Sequence, residues 1–213
     1  MFIAILKQLA KKKSLLRSLM NLEALNYSIS GEVLDLGGGV NPTYFNFLQQ
    51  TSDTKIVNLD YKNKDVQRVN FETDLLPFAP GSVDQVLAFN ILEHIYNYRH
   101  LTREAARVLK PKGEMIGFVP FLINYHPDPN DYFRYTKEAL EKIFIEAGFK
   151  EIQIKAIGIG PLAVNFNILA PFLPTFLRCI IFPFYYVGDK IILKLRPKMT
   201  ERYPLGYFFS LTK

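Results

Sequence analysis

Apolar positions fall into two patterns along this chain. In roughly its first 150 residues, short unbroken apolar runs end at an acid or an asparagine, and apolar groups at helical spacing lie between them. The runs predict strands at 33–36, 55–60, 69–71, 83–89 and 114–119, a sixth at 149–156 and a last at 205–211. Helical spacing predicts helices over 43–50, from after Ile95 to about Leu109, and over 136–147; the third starts on the capping residue Thr136 and ends at Gly148. Strand and helix in alternation predict an α/β fold, doubly wound around a mostly parallel sheet of seven strands.

The second pattern occupies the two ends. Residues 2–22 place Phe2, Ile5, Leu6, Leu9, Leu16, Leu19 and Met20 at helical spacing among five basic residues, which predicts one basic amphipathic helix within a leading segment 1–30. Such a helix suits a bilayer surface, a lid or a packed core face equally. Near the other end, no residue from Ala156 to Leu177 is charged, and apolar character resumes after Arg178. Pro161, Pro171, Pro174 and Pro183 interrupt that stretch, so a hydrophobic helical insertion over about 157–198 is expected, rather than a spanning helix. Lys190, Lys194, Arg196 and Lys198 follow, where basic groups would meet lipid headgroups. Residues 31–213 otherwise read as one domain.

Charge sharpens this division. The net charge is +6 over 213 residues, yet residues 31–154 hold thirteen Lys/Arg against seventeen acids, so the basic excess lies wholly at the ends. That distribution is wrong for a groove tracking a nucleic-acid backbone, and no nucleic-acid partner is expected. The single cysteine, Cys179, excludes an intramolecular disulfide and fits a reducing compartment, so a cytoplasmic location is expected, at the inner face of the membrane if the basic ends meet lipid. No signal-peptide pattern is evident at the start.

The candidate chemistry sits at the strand ends. Asp35-Leu36-Gly37-Gly38-Gly39 closes the first run with an acid and a glycine cluster, a turn that lets backbone approach a ligand. A dinucleotide fingerprint would need a third glycine where Pro42 stands, and Asp35 would repel a pyrophosphate. A cationic ligand suits that acid better, and S-adenosylmethionine carries a sulfonium and an ammonium. Asp60 ends the next run about 20 residues on, where a carboxylate can grip ribose hydroxyls. Asp74-Leu75-Leu76-Pro77-Phe78 reads as a loop able to sandwich an adenine, and Asn90 ends the 83–89 run. Asp35, Asp60, Asp74 and Asn90 are expected to converge on one crevice. The loop after the fifth strand gathers His126, Asp128, Asp131 and Arg134 among aromatic residues.

Taken in order, Asp35 to Gly39, Asp60, Asp74 to Phe78 with Gly81-Ser82-Val83-Asp84, and Leu92-Glu93-His94 followed by Arg107-Val108-Leu109-Lys110-Pro111-Lys112-Gly113 resemble the class I S-adenosylmethionine-dependent methyltransferases across residues 31–120. The His126-to-Thr136 loop looks like that of a bacterial subgroup linked to cell-surface glycan synthesis. The resemblance implies a seven-stranded Rossmann-like sheet with an antiparallel last strand, and S-adenosylmethionine as cofactor. It implies Gly37 and Gly39 against the methionine part, Asp35 near its ammonium, Asp60 on ribose, Asp74 and Leu75 on adenine, and Asn90 near the sulfonium methyl. Asn41 departs from the longer glycine motif, and little helix fits after Asp60.

The expected reaction is methyl transfer to an oxygen or nitrogen acceptor, a small molecule, sugar or lipid-linked glycan at the membrane. His126 is the candidate base, Asp128 and Asp131 its alternatives, and Arg134 an anchor for an anionic substrate. No metal is expected, since no ligand cluster shows metal-site spacing along the sequence. The rival readings are a catalytically degenerate module for membrane or partner binding, and an oxidoreductase of the NAD type. The acceptor and the oligomeric state are not legible in the residues.

Overall fold

A computed structural model describes residues 1–63 and 65–213. Two helices come first, α1 (Phe2–Ala10) and α2 (Leu15–Ala24). The strands are β1 (Ser28–Ile29), β2 (Glu32–Leu36), β3 (Gln49–Gln50), β4 (Lys55–Asp60), β5 (Gln67–Arg68), β6 (Val83–Phe89), β7 (Leu109–Pro120), β8 (Glu151–Ile157) and β9 (Gly206–Thr212). Between them lie α3 (Tyr98–Val108), α4 (Lys137–Ala147), α5 (Pro161–Leu169), α6 (Thr175–Leu195) and α7 (Met199–Arg202).

Seven strands form one sheet in the order β5-β4-β2-β6-β7-β9-β8, and β1 pairs with β3 in a separate ribbon. The pairs from β5 to β7 are parallel, while β9 runs antiparallel to both neighbours, with Glu114 opposite Thr212 and Pro120 opposite Gly206. Central strands are apolar on both sides, as β6 shows with Val86, Leu87 and Ala88 all fully buried. One face of the sheet is covered by α3 and α4, through Leu101, Ala105, Leu140 and Phe144. The other is covered by both ends of the chain together, through Ile5, Leu9, Leu19, Phe166 and Phe182.

Several local expectations are corrected. The 2–22 segment is two helices, because three consecutive lysines interrupt it, Lys12 adopts φ +63°, and Ser14 starts a new helix by accepting from the Arg17 N–H. Its apolar face is taken by the protein itself, since Ile5, Leu9 and Leu15 are fully buried, and Phe2 stacks on Phe182 and packs at a tilt against Tyr186. The helix expected over 43–50 is a single 3-10 turn, Thr43–Asn46, because Tyr44 turns inward onto Phe89, with ring centroids 4.3 Å apart, and the chain then returns to pair β3 with β1. The 69–71 strand lies two residues earlier, at β5, while Val69 and Phe71 point into the core. The helix expected after Ile95 begins at Tyr98, where the Glu72 carboxylate accepts from the N–H of both Tyr96 and Asn97 at 2.7 Å and fixes the start.

Candidate active site

The turn after β2 is built for close approach. Gly37 adopts φ +76° and donates its N–H to the Leu59 carbonyl at 2.8 Å; a Cβ there would stand 2.6 Å from Ile91 Cδ1. Asn90 ends β6 at φ +53°, a left-handed conformation asparagine accepts more readily than most residues, and its N–H is held by the Phe118 carbonyl at 2.8 Å. Gly37 and Asn90 thus meet at the carboxyl edge of adjacent strands, where open α/β sheets take their ligands.

Two cavities open there. The first, of about 410 Å³, is lined by Gly37, Asp60, Asn70, Phe71, Asn90 and Ile91, with Asp128 and Tyr132 on its rim. Asp60 stands at the end of β4, its Oδ1 accepting from the N–H groups of Lys62 and Asn63 at 2.8 and 2.9 Å. The second, of about 600 Å³, is lined by Arg17 and Met20 of α2, Gly38 and Tyr44 beyond the glycine turn, His126, and Asn167 of α5. Gly37, Asn90, His94 and Asp128 line both, so the two form one continuous crevice.

At the junction lies an ionisable cluster. Glu93 is fully buried, and neither of its carboxylate oxygens has a hydrogen-bond partner among the described residues. The Nε2 atoms of His94 and His126 stand 3.7 and 3.8 Å from its Oε1. The carboxylate beside His126, together with Asp131, lifts that imidazole above the ordinary histidine range against the opposing effect of burial. Asp131 is held by both terminal nitrogens of Arg134 and by the His126 N–H, which carries its carboxyl down to about 2. Arg17 is partly buried at the second cavity, makes no ion pair among the described residues, and is pulled below its ordinary pKa by burial.

The sequence-predicted residues divide accordingly. Gly37, Asp60, Asn90 and His126 line the crevice. Asp35 stands behind it: fully buried, it accepts from the Tyr44 hydroxyl at 2.6 Å, and burial pushes its carboxyl up to about 7. Gly39 lies beyond Gly38 with φ +69° and lines neither cavity. Asp74 and Leu75 also lie outside the lining: Asp74 accepts from the Asn70 N–H at 2.9 Å, and Leu75 is 68% exposed. Their place at the first cavity is taken by Asn70, Phe71 and Glu72. Asp131 and Arg134 pair with each other behind His126 and line neither cavity, because a buried carboxylate beside a guanidinium is satisfied by it. Sequence reasoning missed Arg17, Met20, Glu93 and His94 as site groups. The Leu92-Glu93-His94 triplet was a signal for two of them, whereas Arg17 looked like one more cation on an amphipathic helix.

Residues 34–117 match the family described as Methyltransferase domain. A probable S-adenosylmethionine-dependent methyltransferase of Mycobacterium tuberculosis is 28% identical over 107 residues, 47% of this chain and 38% of the relative. The chain thus matches well under half the length of that curated relative. Among solved structures, a SAM-dependent methyltransferase of Archaeoglobus fulgidus aligns over 92% of this chain and 94% of its own at a TM-score of 0.59 and 16% identity. Phosphoethanolamine N-methyltransferase 2 of Haemonchus contortus, solved with S-adenosyl-L-methionine, aligns over 91% of this chain and 52% of its own at 0.54 and 18%. These likenesses bear on the fold alone. The matched stretch, residues 34–117, holds the glycine turn after β2 and Asp60 at the end of β4, and is similar to S-adenosylmethionine-dependent methyltransferases.

Proposed function

We propose that this chain transfers the methyl group of S-adenosylmethionine to an oxygen or nitrogen nucleophile of an acceptor seated in the second cavity. The observation that carries this reading is the continuity of the two cavities through Gly37, Asn90 and His94. The first cavity offers a carboxylate for ribose at Asp60 and an apolar wall at Phe71 and Ile91. The glycine turn leaves room for the methionine part, and Arg17 offers a cation to a carboxylate at the second cavity. When bound, S-adenosylmethionine supplies a methyl group already activated by its sulfonium charge. Alignment of the acceptor is then most of what the residues contribute. His126 faces the second cavity and accepts the proton of a hydroxyl acceptor. Glu93 stabilises the imidazolium that results, and Asp131 with Arg134 holds the loop in position.

The acceptor proposed is a sugar or lipid-linked glycan at an anionic membrane surface. On α6 and the turn before it, Phe172, Phe176, Ile180, Phe184, Ile191 and Leu195 form a stripe at helical spacing, each at least 57% exposed. Lys190, Lys194, Arg196 and Lys198 accompany its far end. No helix among the described residues is long and apolar enough to cross a membrane, so the stripe is read as lying in the interface plane. Pro171 lines the second cavity and the next residue, Phe172, is 80% exposed, which brings the cavity and the stripe together. Calorimetry with S-adenosylmethionine tests the first part: a 1:1 binding isotherm is expected, and none would favour a degenerate binding module. Transfer of labelled methyl to extracted membrane lipids tests the second, with label appearing only in water-soluble sugars as the result against it.

A further inference from the structure

We infer that Glu93, His94 and His126 hold a divalent transition-metal ion, of the class of zinc, at the junction of the two cavities. Three observations converge. One ligand atom from each residue lies within 4.8 Å of the others. Ligands drawn onto a tetrahedral ion at about 2.1 Å stand about 3.4 Å apart, so the 3.7 and 3.8 Å from Glu93 Oε1 to the two Nε2 atoms need only small contraction. Glu93 is fully buried with both oxygens unpartnered among the described residues, which leaves a desolvated acceptor pointing at two imidazoles. Finally, each imidazole is oriented from behind through its other nitrogen. His94 Nδ1 is 2.6 Å from the Asn130 carbonyl oxygen, and His126 Nδ1 lies 3.2 Å from the Asn124 carbonyl and 3.3 Å from Asp131 Oδ2. The Asn130 carbonyl holds the proton on His94 Nδ1 and leaves its Nε2 lone pair free, the arrangement that fixes metal-binding histidines; at His126 Nδ1 the Asn124 carbonyl and Asp131 compete with a donor, Arg134 Nη2, 3.3 Å away.

Two imidazoles and one carboxylate suit zinc or a first-row neighbour better than magnesium or calcium, which prefer oxygen sites. Three protein ligands leave a coordination position open toward the second cavity, where His126 faces the acceptor. Resting on the methyl-transfer reading, the role of the ion is to bind an acceptor hydroxyl there and lower its pKa, in place of a free His126 imidazole. The proton leaves that hydroxyl to solvent, the alkoxide stays on the metal, and its oxygen then takes the methyl as the bond to sulfur breaks. The guanidinium of Arg134, behind His126, is neutralised by Asp131.

The test is Zn2+ titration of chelator-treated full-length protein by calorimetry, with Co2+ substitution read by its visible absorption spectrum. One equivalent is expected to bind, with a ligand-field spectrum of low coordination number. His126→Gln, at a half-exposed position that leaves the fold intact, and Glu93→Gln, checked by circular dichroism, are each expected to weaken binding by more than the roughly 10–100-fold that outer-shell partners command. Zn2+ that fails to bind, or that binds His126→Gln as tightly as the parent, overturns the site. S-adenosylmethionine affinity, measured on the same samples, separates that outcome from failure of the methyltransferase reading, because none of the three residues is assigned to holding the cofactor.

Discussion

The Tyr44 hydroxyl donates to Asp35 Oδ1 at 2.6 Å, and both side chains are shut away from solvent behind the glycine turn. The acid at the end of β2 therefore braces the turn from the inside. A Cβ on Gly38 would overlap both Asp35 Oδ2 and the Tyr44 oxygen, so Gly38 is the residue that lets them meet. Gly38→Ala is expected to destabilise the fold by about 1–3 kcal/mol, the usual cost of overpacking, as read by urea denaturation. An unchanged midpoint would mean the turn relaxes without the Asp35–Tyr44 contact.

Stability should depend on pH through the same acid. Burial raises the Asp35 carboxyl from 3.8 to about 7, so the folded state keeps a proton that the unfolded state gives up. Its contribution is full below about pH 4 and is lost as pH rises through 7, a decline of at most roughly 4 kcal/mol. Urea denaturation of the cofactor-free protein between pH 4 and 8 should show that fall, and Asp35→Asn should flatten it. A parent curve as flat as the variant's would remove the buried acid as the cause.

Asp60 reaches the first cavity while capping two backbone N–H groups through Oδ1. Asp60→Asn keeps an acceptor for the caps but loses the charge offered to ribose hydroxyls. Calorimetry should show S-adenosylmethionine binding weakened roughly 10–150-fold, the equivalent of about 1.5–3 kcal/mol for a hydrogen bond to a charged group, with little change in melting temperature. Equal affinity would place the ribose elsewhere.

On the proposed membrane face, Phe176 and Phe184 stand 67% and 75% exposed, so they contribute little to the fold. Phe176→Ser with Phe184→Ser should leave thermal stability unchanged and abolish flotation with anionic vesicles, while the parent floats. Parent protein that stays at the bottom of the gradient would leave the stripe to another partner.

Asp189 of α6 is fully buried and accepts from the N–H groups of Leu162 and Ala163 at 2.9 and 2.7 Å, capping α5 from a neighbouring helix. Asp189→Ala strands both donors and should cost about 3–6 kcal/mol in denaturant unfolding, since each buried bond to a charged group contributes about 1.5–3. A loss well below that range would mean water reaches the α5 terminus.

The sequence by itself determined the order of strands, the glycine turn, the placement of Asp60 and Asn90 at strand ends, and the hydrophobic insertion between the last two strands. Those features follow from local rules: apolar runs bury as strands, glycine permits a left-handed turn, and Pro161 and Pro174 stand at helix starts, although Pro183 does not interrupt the stretch as expected and lies inside the 21-residue α6. Only the tertiary structure decided which polar groups line the crevice. Asp35 and Asp60 both end runs of the same kind, yet one is sealed in by Tyr44 and the other lines a cavity. Asp74 and Leu75 gave way to Asn70, Phe71 and Glu72, because the chain turns before the loop that looked like an adenine clamp. Arg17, with Met20 on the same helix, is brought to the second cavity because α2 lies on the same sheet face as the insertion. The Glu93, His94 and His126 cluster likewise exists only once the loop after β7 folds back over the end of β6, since proximity between residues about 30 positions apart is a property of topology, not of spacing along the chain.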